Sequence, residues 1–228
     1  HDDVIDCAGL RRGRETLCRQ HGINMAVYAG DYLFTRAVLM LSGVLPAEKL
    51  ELIAKAIKSI CEGDVDQYRD RDSIDVSVLR YLKRVGRKTA VLFGAACSLG
   101  AYAGKCSPDV TRNLVVYGYS YGVAFQIRDD LMDFISTTAT AGKPVGRDLI
   151  EGVVTLPAIY SIQNNPQLKN EFRAFFEGER NSENAGRLIE LVRQSGGIER
   201  AARLLEKYIE RGLAALERLP DNYYRSVL

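Results

Sequence analysis

The segment from Pro108 to Phe134 constrains the fold of this chain more than any other. It opens on a proline, carries no later one, and reads as helical through a long apolar stretch. At about 1.5 Å per residue such a helix runs roughly 40 Å, the length of a whole helical bundle. An apolar helix of that length has to be enclosed by other elements.

The remaining sequence supplies helices to do so. Ile198, Ala201, Leu205, Tyr208, Gly212, Leu216 and Leu219 recur at spacings of three and four, with Ser195-Gly196-Gly197 before them and Pro220 after. Further helices are expected over Asn24–Ser42, Pro46–Tyr68, Val76–Val85, Lys88–Gly104, Thr155–Gln163, Glu171–Glu177 and Asn184–Gln194. Strand signals are nearly absent, and the breaks are short apart from Ser136 to Asp148, which contains Ala141-Gly142-Lys143-Pro144-Val145-Gly146. With no internal repeat and no linker, the expectation is all-α: a single domain over residues 1–228, a helical bundle around a central cavity. The first residues already carry an aspartate cluster. Metal-binding motifs rarely sit at frayed termini, so further N-terminal helices are expected upstream of His1.

Bulk properties exclude several classes. Thirty-one basic against 29 acidic residues leave a net charge of +2, with no electrostatic pull toward nucleic acid. The long uncharged stretch Thr89 to Gly104 is too short for the roughly 20 residues that span a bilayer, so no transmembrane segment is expected. Cys7, Cys18, Cys61, Cys97 and Cys106 form no CxxC pair, which points to free thiols in a reducing compartment, the cytosol. Cys97 reads as a small core residue.

The chemistry lies in the placement of charge. In His1-Asp2-Asp3-Val4-Ile5-Asp6, Asp2 and Asp6 share a helix face, with Asp3 three before Asp6. Three like charges repel one another, and a hard divalent cation removes that cost; Mg²⁺ prefers carboxylates with water and phosphate oxygens. A solvated acidic helix start is the structural alternative. The spacing recurs, however, in Asp129-Asp130-Leu131-Met132-Asp133 at the far end of the long helix, which points to opposed walls of one pocket. Arg11 and Arg12 follow the first cluster, Lys88-Thr89 starts a helix, and Lys143 lies in the glycine-containing loop after the second. Guanidinium forks and lysine point charges bind phosphate oxygens. Carboxylates flanked by bases suit a metal-bridged diphosphate leaving group, beside an apolar cavity that shelters a carbocation.

These residues, in this order, resemble the trans-prenyltransferases, or polyprenyl diphosphate synthases, of the isoprenoid synthase fold. The resemblance runs from His1–Asp6 with Arg11-Arg12-Gly13, through Ala26–Leu33, Lys88-Thr89-Ala90 and Gly122–Asp133, to Gly142–Leu149, Glu151-Gly152 and Thr155-Leu156-Pro157. It implies a metal site of Asp2, Asp3, Asp6, Asp129, Asp130 and Asp133, of which Asp2, Asp6 and Asp129 bind Mg²⁺ directly. By the same resemblance roughly three Mg²⁺ ions serve each active site. It makes Arg11, Lys88 and Lys143 contacts to an allylic diphosphate and Arg12 a contact to isopentenyl diphosphate, with Thr89 and Gln126 at the reacting centre. A homodimer through the helix holding Gly30-Asp31-Tyr32 is implied, with a heterodimer as the alternative.

Two departures from the family pattern stand out. The Gly-Lys-x-x-Arg-Pro segment expected upstream of the first cluster is not in this sequence, and Val153 stands where many members carry lysine. The variant Gly152-Val153-Val154-Thr155-Leu156-Pro157 and the uninterrupted Asp2-Asp3-Asp6 spacing resemble long-chain synthases that make quinone side chains. The alternatives are a shorter-chain farnesyl or geranylgeranyl synthase, the catalytic subunit of a heteromeric synthase, a non-catalytic partner subunit, and a terpene cyclase. Glu62–Gln67 reads as helix surface or cavity rim, Asp31 as buried and paired, and Tyr117, Tyr119 and Tyr121 as packing or interface residues.

Overall fold

The computed structural model describes residues 1–5, 8–11, 13–136 and 146–228. The chain divides into two compact units, His1–Leu52 and Ile53–Leu228, and the division falls inside one helix.

The first unit starts with the short helix α1 (Asp2–Ile5). A two-stranded antiparallel hairpin follows, β1 (Leu10–Arg11) against β2 (Arg14–Glu15), with Leu10 opposite Glu15 and Arg11 opposite Arg14. Gly13 supplies the positive φ of 75° that so tight a turn needs. Helix α2 (Leu17–His21) is capped by Thr16, whose hydroxyl accepts from the Arg19 N–H and donates to the Ala8 carbonyl at 2.6 Å. The long helix α3 (Ile23–Ser42) follows, and then the start of α4 (Ala47–Arg69).

The second unit is built around α7 (Pro108–Ile135). Ser107 caps its N-terminus and Pro108 occupies the first turn, where a missing N–H costs nothing. Val123, Ile127, Leu131 and Phe134 form its buried stripe, at the three- and four-residue steps of one helix face. Around α7 lie α5 (Val78–Val85), α6 (Val91–Ala103), α9 (Leu156–Asn164), α11 (Ser182–Gln194) and α12 (Gly197–Leu216). The short α8 (Arg147–Ile150) also touches α7, α10 (Leu168–Glu177) packs on α9 and α11, and α13 (Tyr223–Val227) ends the chain. The core of Tyr81, Val85, Leu149, Val154, Leu156, Phe172, Val192 and Ala201 closes over the stripe.

The expected helices all form, with one correction. Lys88 and Thr89 do not start a helix. Gly86 has right-handed helical dihedrals (φ −57°, ψ −45°), so α5 and α6 run on through a π-turn over Gly86–Ala90. Glycine in the sequence looks like a break, but here it serves contact: a Cβ on Gly86 would collide with the Tyr119 hydroxyl. Cys97 is half-buried rather than enclosed. No helix among the described residues is long and apolar enough to cross a membrane.

Helices α6 and α7 approach closely because α7 carries glycine at the contact. A Cβ on Gly122 would lie 2.6 Å from the Ala90 Cα, and one on Gly118 2.7 Å from the Phe93 carbonyl oxygen. Backbone cannot yield as a flexible side chain does. Gly122→Ala is therefore expected to destabilise the protein by about 1–3 kcal/mol. Gly186→Ala on α11 meets nothing within 4 Å and is expected to stabilise by about 0.5–1 kcal/mol through helix propensity. Urea unfolding of both variants checks the contrast.

Candidate functional site

The last turns of α7 carry three carboxylates in three different surroundings. Asp129 is exposed and, among the described residues, takes no hydrogen bond or ion pair. One helical step of about 100° turns Asp130 into the core. Its Oδ2 accepts from the Tyr81 hydroxyl at 2.6 Å, and its Oδ1 from the Gln126 amide at 2.9 Å. Asp133 accepts backbone N–H groups of Gly146, Arg147 and Asp148 at 3.0, 3.3 and 3.1 Å, binding the N-terminus of α8 to α7. Gly146 has a φ of 83° there, and a Cβ would lie 2.8 Å from Ile189 Cδ1.

The π-turn supplies the cation and a hydroxyl. Thr89 donates to Gln126 Oε1 at 2.9 Å, which joins the turn to Asp130 through one amide. Lys88 Nζ lies 2.9 Å from Asp64 and 3.3 Å from Gln67 Oε1, and Arg87 pairs with Asp66 at 2.7 Å and Glu62 at 3.6 Å. The acidic run Glu62–Gln67 on α4 therefore meets the basic π-turn rather than lying as a free surface. Close approach is possible because residue 63 is glycine: a Cβ there would sit 2.9 Å from the Lys88 nitrogen. π-turns inside α-helices recur at functional sites because they re-aim side chains.

Behind Asp130 lies an ionic brace that sequence reasoning missed. Arg84, buried, donates to the Val154 carbonyl at 3.0 Å and lies 5.7 Å from the centre of the Tyr81 ring. Buried Asp70 pairs with Arg80 and lies 3.7 Å from Arg84. Asp72, with φ of 62°, donates its N–H to the Gly152 carbonyl and pairs with Arg180, both at 2.8 Å. Val153, in the place of the family's lysine, is buried. The only sequence signal for Tyr81 was its position two turns before Lys88 on an amphipathic helix.

Crowding and burial shift the acids together. Burial pushes the Asp130 carboxyl up to about 6, against the Tyr81 and Gln126 hydrogen bonds that favour its ionised form. Burial, then the charges of Asp130, Asp133 and Glu151, holds Asp148 well above the usual carboxylate range. Burial also raises Asp133, opposed by its three backbone donors. Tyr81 is raised by burial and by Asp130, so its hydroxyl stays protonated and donates.

In the first unit, Asp2 is exposed on α1 and Asp3 accepts from Arg11 Nε at 2.9 Å. His1 Nε2 lies 2.9 Å from Asp31 and 3.2 Å from the Val27 carbonyl. Asp31 is paired, but the expectation that it is buried is corrected: its side chain is 65% exposed, because α3 turns that face outward. Asp6, Arg12 and Lys143 lie outside the described residues.

The donor chemistry suits a hard cation. Asp129 offers an exposed carboxylate, unpaired among the described residues, beside acids whose ionised forms repel. Among the described residues no three His, Cys, Asp or Glu side chains make a cage of their own. Mg²⁺ typically takes one or two carboxylates and completes its octahedron with water and phosphate oxygens. Asp129 with a bound phosphate group meets that requirement, while Asp130 and Asp133 are held by protein donors.

Comparison with known proteins assigns the chain to a lineage. Residues 1–194 match the family model for polyprenyl synthetase. The whole chain aligns at 35% identity with heptaprenyl diphosphate synthase component 2 of Bacillus subtilis (strain 168), covering 65% of that protein. It aligns at 32% identity with octaprenyl diphosphate synthase of Escherichia coli (strain K12), covering 71% of that protein. A crystal structure of heptaprenyl diphosphate synthase from Staphylococcus aureus superposes on all of the chain with a TM-score of 0.93, at 31% identity, over 71% of its own length.

The raised Asp130 carboxyl has a consequence for the metal-free protein. Above the unfolded value of 3.8 the ionised acid opposes folding, and the penalty grows until the pH passes about 6. Stability is expected to fall as pH rises through that window, by up to about 3 kcal/mol. Asp130→Asn should unfold at a higher temperature than the natural protein at pH 7 and show no advantage near pH 4. Thermal unfolding in chelator reads both, and an unchanged pH slope in the variant would assign the titration elsewhere.

Proposed function

The chain belongs to the polyprenyl synthetase family, and from that membership we propose that it acts as a Mg²⁺-dependent trans-prenyltransferase condensing isopentenyl diphosphate with an allylic diphosphate. The observation that carries the reading is the exposed Asp129 carboxylate, unpaired among the described residues, beside the gripped Asp130, in a chain whose family match runs through both aspartate clusters. Asp2, Asp6 and Asp129 bind the metal directly, and Asp3, Asp130 and Asp133 support them. The bound metal supplies charge neutralisation of the diphosphate as it leaves.

Arg11, Lys88 and Lys143 hold the allylic diphosphate, and Arg12 holds that of isopentenyl diphosphate. The allylic C1–O bond breaks, the electron pair leaves with pyrophosphate, and the isopentenyl double bond attacks C1. The cation that results loses a proton to the released pyrophosphate. Thr89 and Gln126 line this centre, fixed to each other by their hydrogen bond. Ion pairing of Lys88 with Asp64 limits the swing of its side chain.

The product is proposed to be a long chain for a quinone side chain, in keeping with relatives named for heptaprenyl and octaprenyl diphosphate. The protein is proposed to work in the cytoplasm as a homodimer. The exposed Tyr28, Tyr32 and Leu33 of α3 provide an apolar face for that contact. A second reading, the catalytic subunit of a heteromeric synthase, is favoured by the words "component 2" in the name of the Bacillus subtilis relative. Elongation that starts only when a second polypeptide is added would decide for it.

Incubation of the full-length protein with isopentenyl diphosphate and an allylic primer is expected to release pyrophosphate and yield longer prenyl diphosphates, sized by chromatography. Chelation should abolish this and Mg²⁺ restore it. No metal-dependent elongation with several primers, with and without a partner, sinks the proposal. Asp2→Ala and Asp129→Ala should each cost several orders of magnitude in turnover with little loss of helicity. Near-normal turnover in both would overturn the site assignment.

A further inference from the structure

We propose that Tyr81 is a positioning residue: its hydroxyl locks Asp130 into the core and thereby sets where Asp129 presents its exposed carboxylate to metal and diphosphate. The inference rests on the proposed function for the identity of that ligand.

The geometry is a chain of three hydrogen bonds joining two helical runs at two points. Tyr81 donates directly to one oxygen of Asp130. The other oxygen accepts from Gln126, whose carbonyl accepts from Thr89. Tyr81 and Thr89 lie on one continuous helical run, and the π-turn that carries Lys88 begins between them. Asp130 and Gln126 lie one turn apart on α7. Rotation or sliding of α7 against that run breaks a bond at one end or the other. The position of Lys88 and the direction of Asp129 are thereby set by the same contacts.

Burial gives the tyrosine its hold. Its side chain is 1% exposed, so the hydroxyl has no water to exchange for Asp130, and Asp130 would lose a donor it cannot replace. Arg84, tied to the Val154 carbonyl, lies over the ring and keeps it from tilting away. With Asp130 turned inward, the next position back along the helix is turned outward. A phenylalanine would fill the same volume and do none of this. Partners that orient metal-binding groups are commonly worth about 10–100-fold in metal affinity.

The test is Tyr81→Phe in the full-length protein, with Mn²⁺ and inorganic pyrophosphate as the probe and free Mn²⁺ followed by its paramagnetic resonance signal. The variant is expected to keep its helicity and to bind the metal with pyrophosphate about 10–100-fold more weakly. Its turnover should require correspondingly more Mg²⁺, with KM for isopentenyl diphosphate unchanged at saturating metal. Tyr208→Phe is the control, a half-buried tyrosine of α12 whose electrostatic neighbours are Tyr119, Arg211 and Tyr160. Equal affinity in Tyr81→Phe and the natural protein overturns the positioning role, and so does an equal loss in Tyr208→Phe. Metal binding is read without elongation, so a natural protein that binds the probe but elongates nothing overturns the proposed function alone.

Discussion

The second unit depends on how one buried carboxylate is satisfied. An ionisable group in an apolar interior is costly unless donors meet it, and Asp130 is met from two sides, by a phenol of α5 and an amide of its own helix. Those bonds decide which way the end of α7 faces. Burial raises the proton affinity of Asp130 against those bonds, while its sequence neighbour Asp129 lies open to solvent. Two adjacent aspartates thus acquire different chemistry from one helical step.

The π-turn belongs to the same constraint. A helical run that must place Tyr81 against Asp130, Thr89 against Gln126 and Lys88 against Asp64 has several contacts to satisfy with side chains on one backbone. Local widening re-aims Lys88 and Thr89 without breaking the run. The approaches that make this possible are glycine contacts: Gly63 against the Lys88 backbone and Gly122 against Ala90. Opposite charges on α4 and the π-turn then hold what the glycines admit.

Much of this was legible in order but not in contact. Helix periodicity located the longer helices to within a few residues, because an apolar stripe is a local pattern with a fixed period. The aspartate spacing marked the end of α7 as chemical, because like charges at three- and four-residue steps need a reason. Gly86 falls between the two helices expected over Val76–Val85 and Lys88–Gly104, yet the run continues through it, with Tyr119 packed where a Cβ would be. Asp31 misled: apolar neighbours along the chain implied burial, but α3 turns them and it outward. Tyr81 and Arg84 carried no motif, and their importance depends on partners 49 and 70 residues away.

By itself, then, the sequence determined the helical class, the carboxylate spacings and the family, because these are written in local periods and ordered motifs. Tertiary structure decided which carboxylate is exposed and which is gripped. It also decided that Lys88 sits in a π-turn facing Asp64, and that a tyrosine from another helix holds Asp130. Burial and hydrogen-bond satisfaction are properties of what surrounds a side chain, and no spacing along one chain segment specifies them.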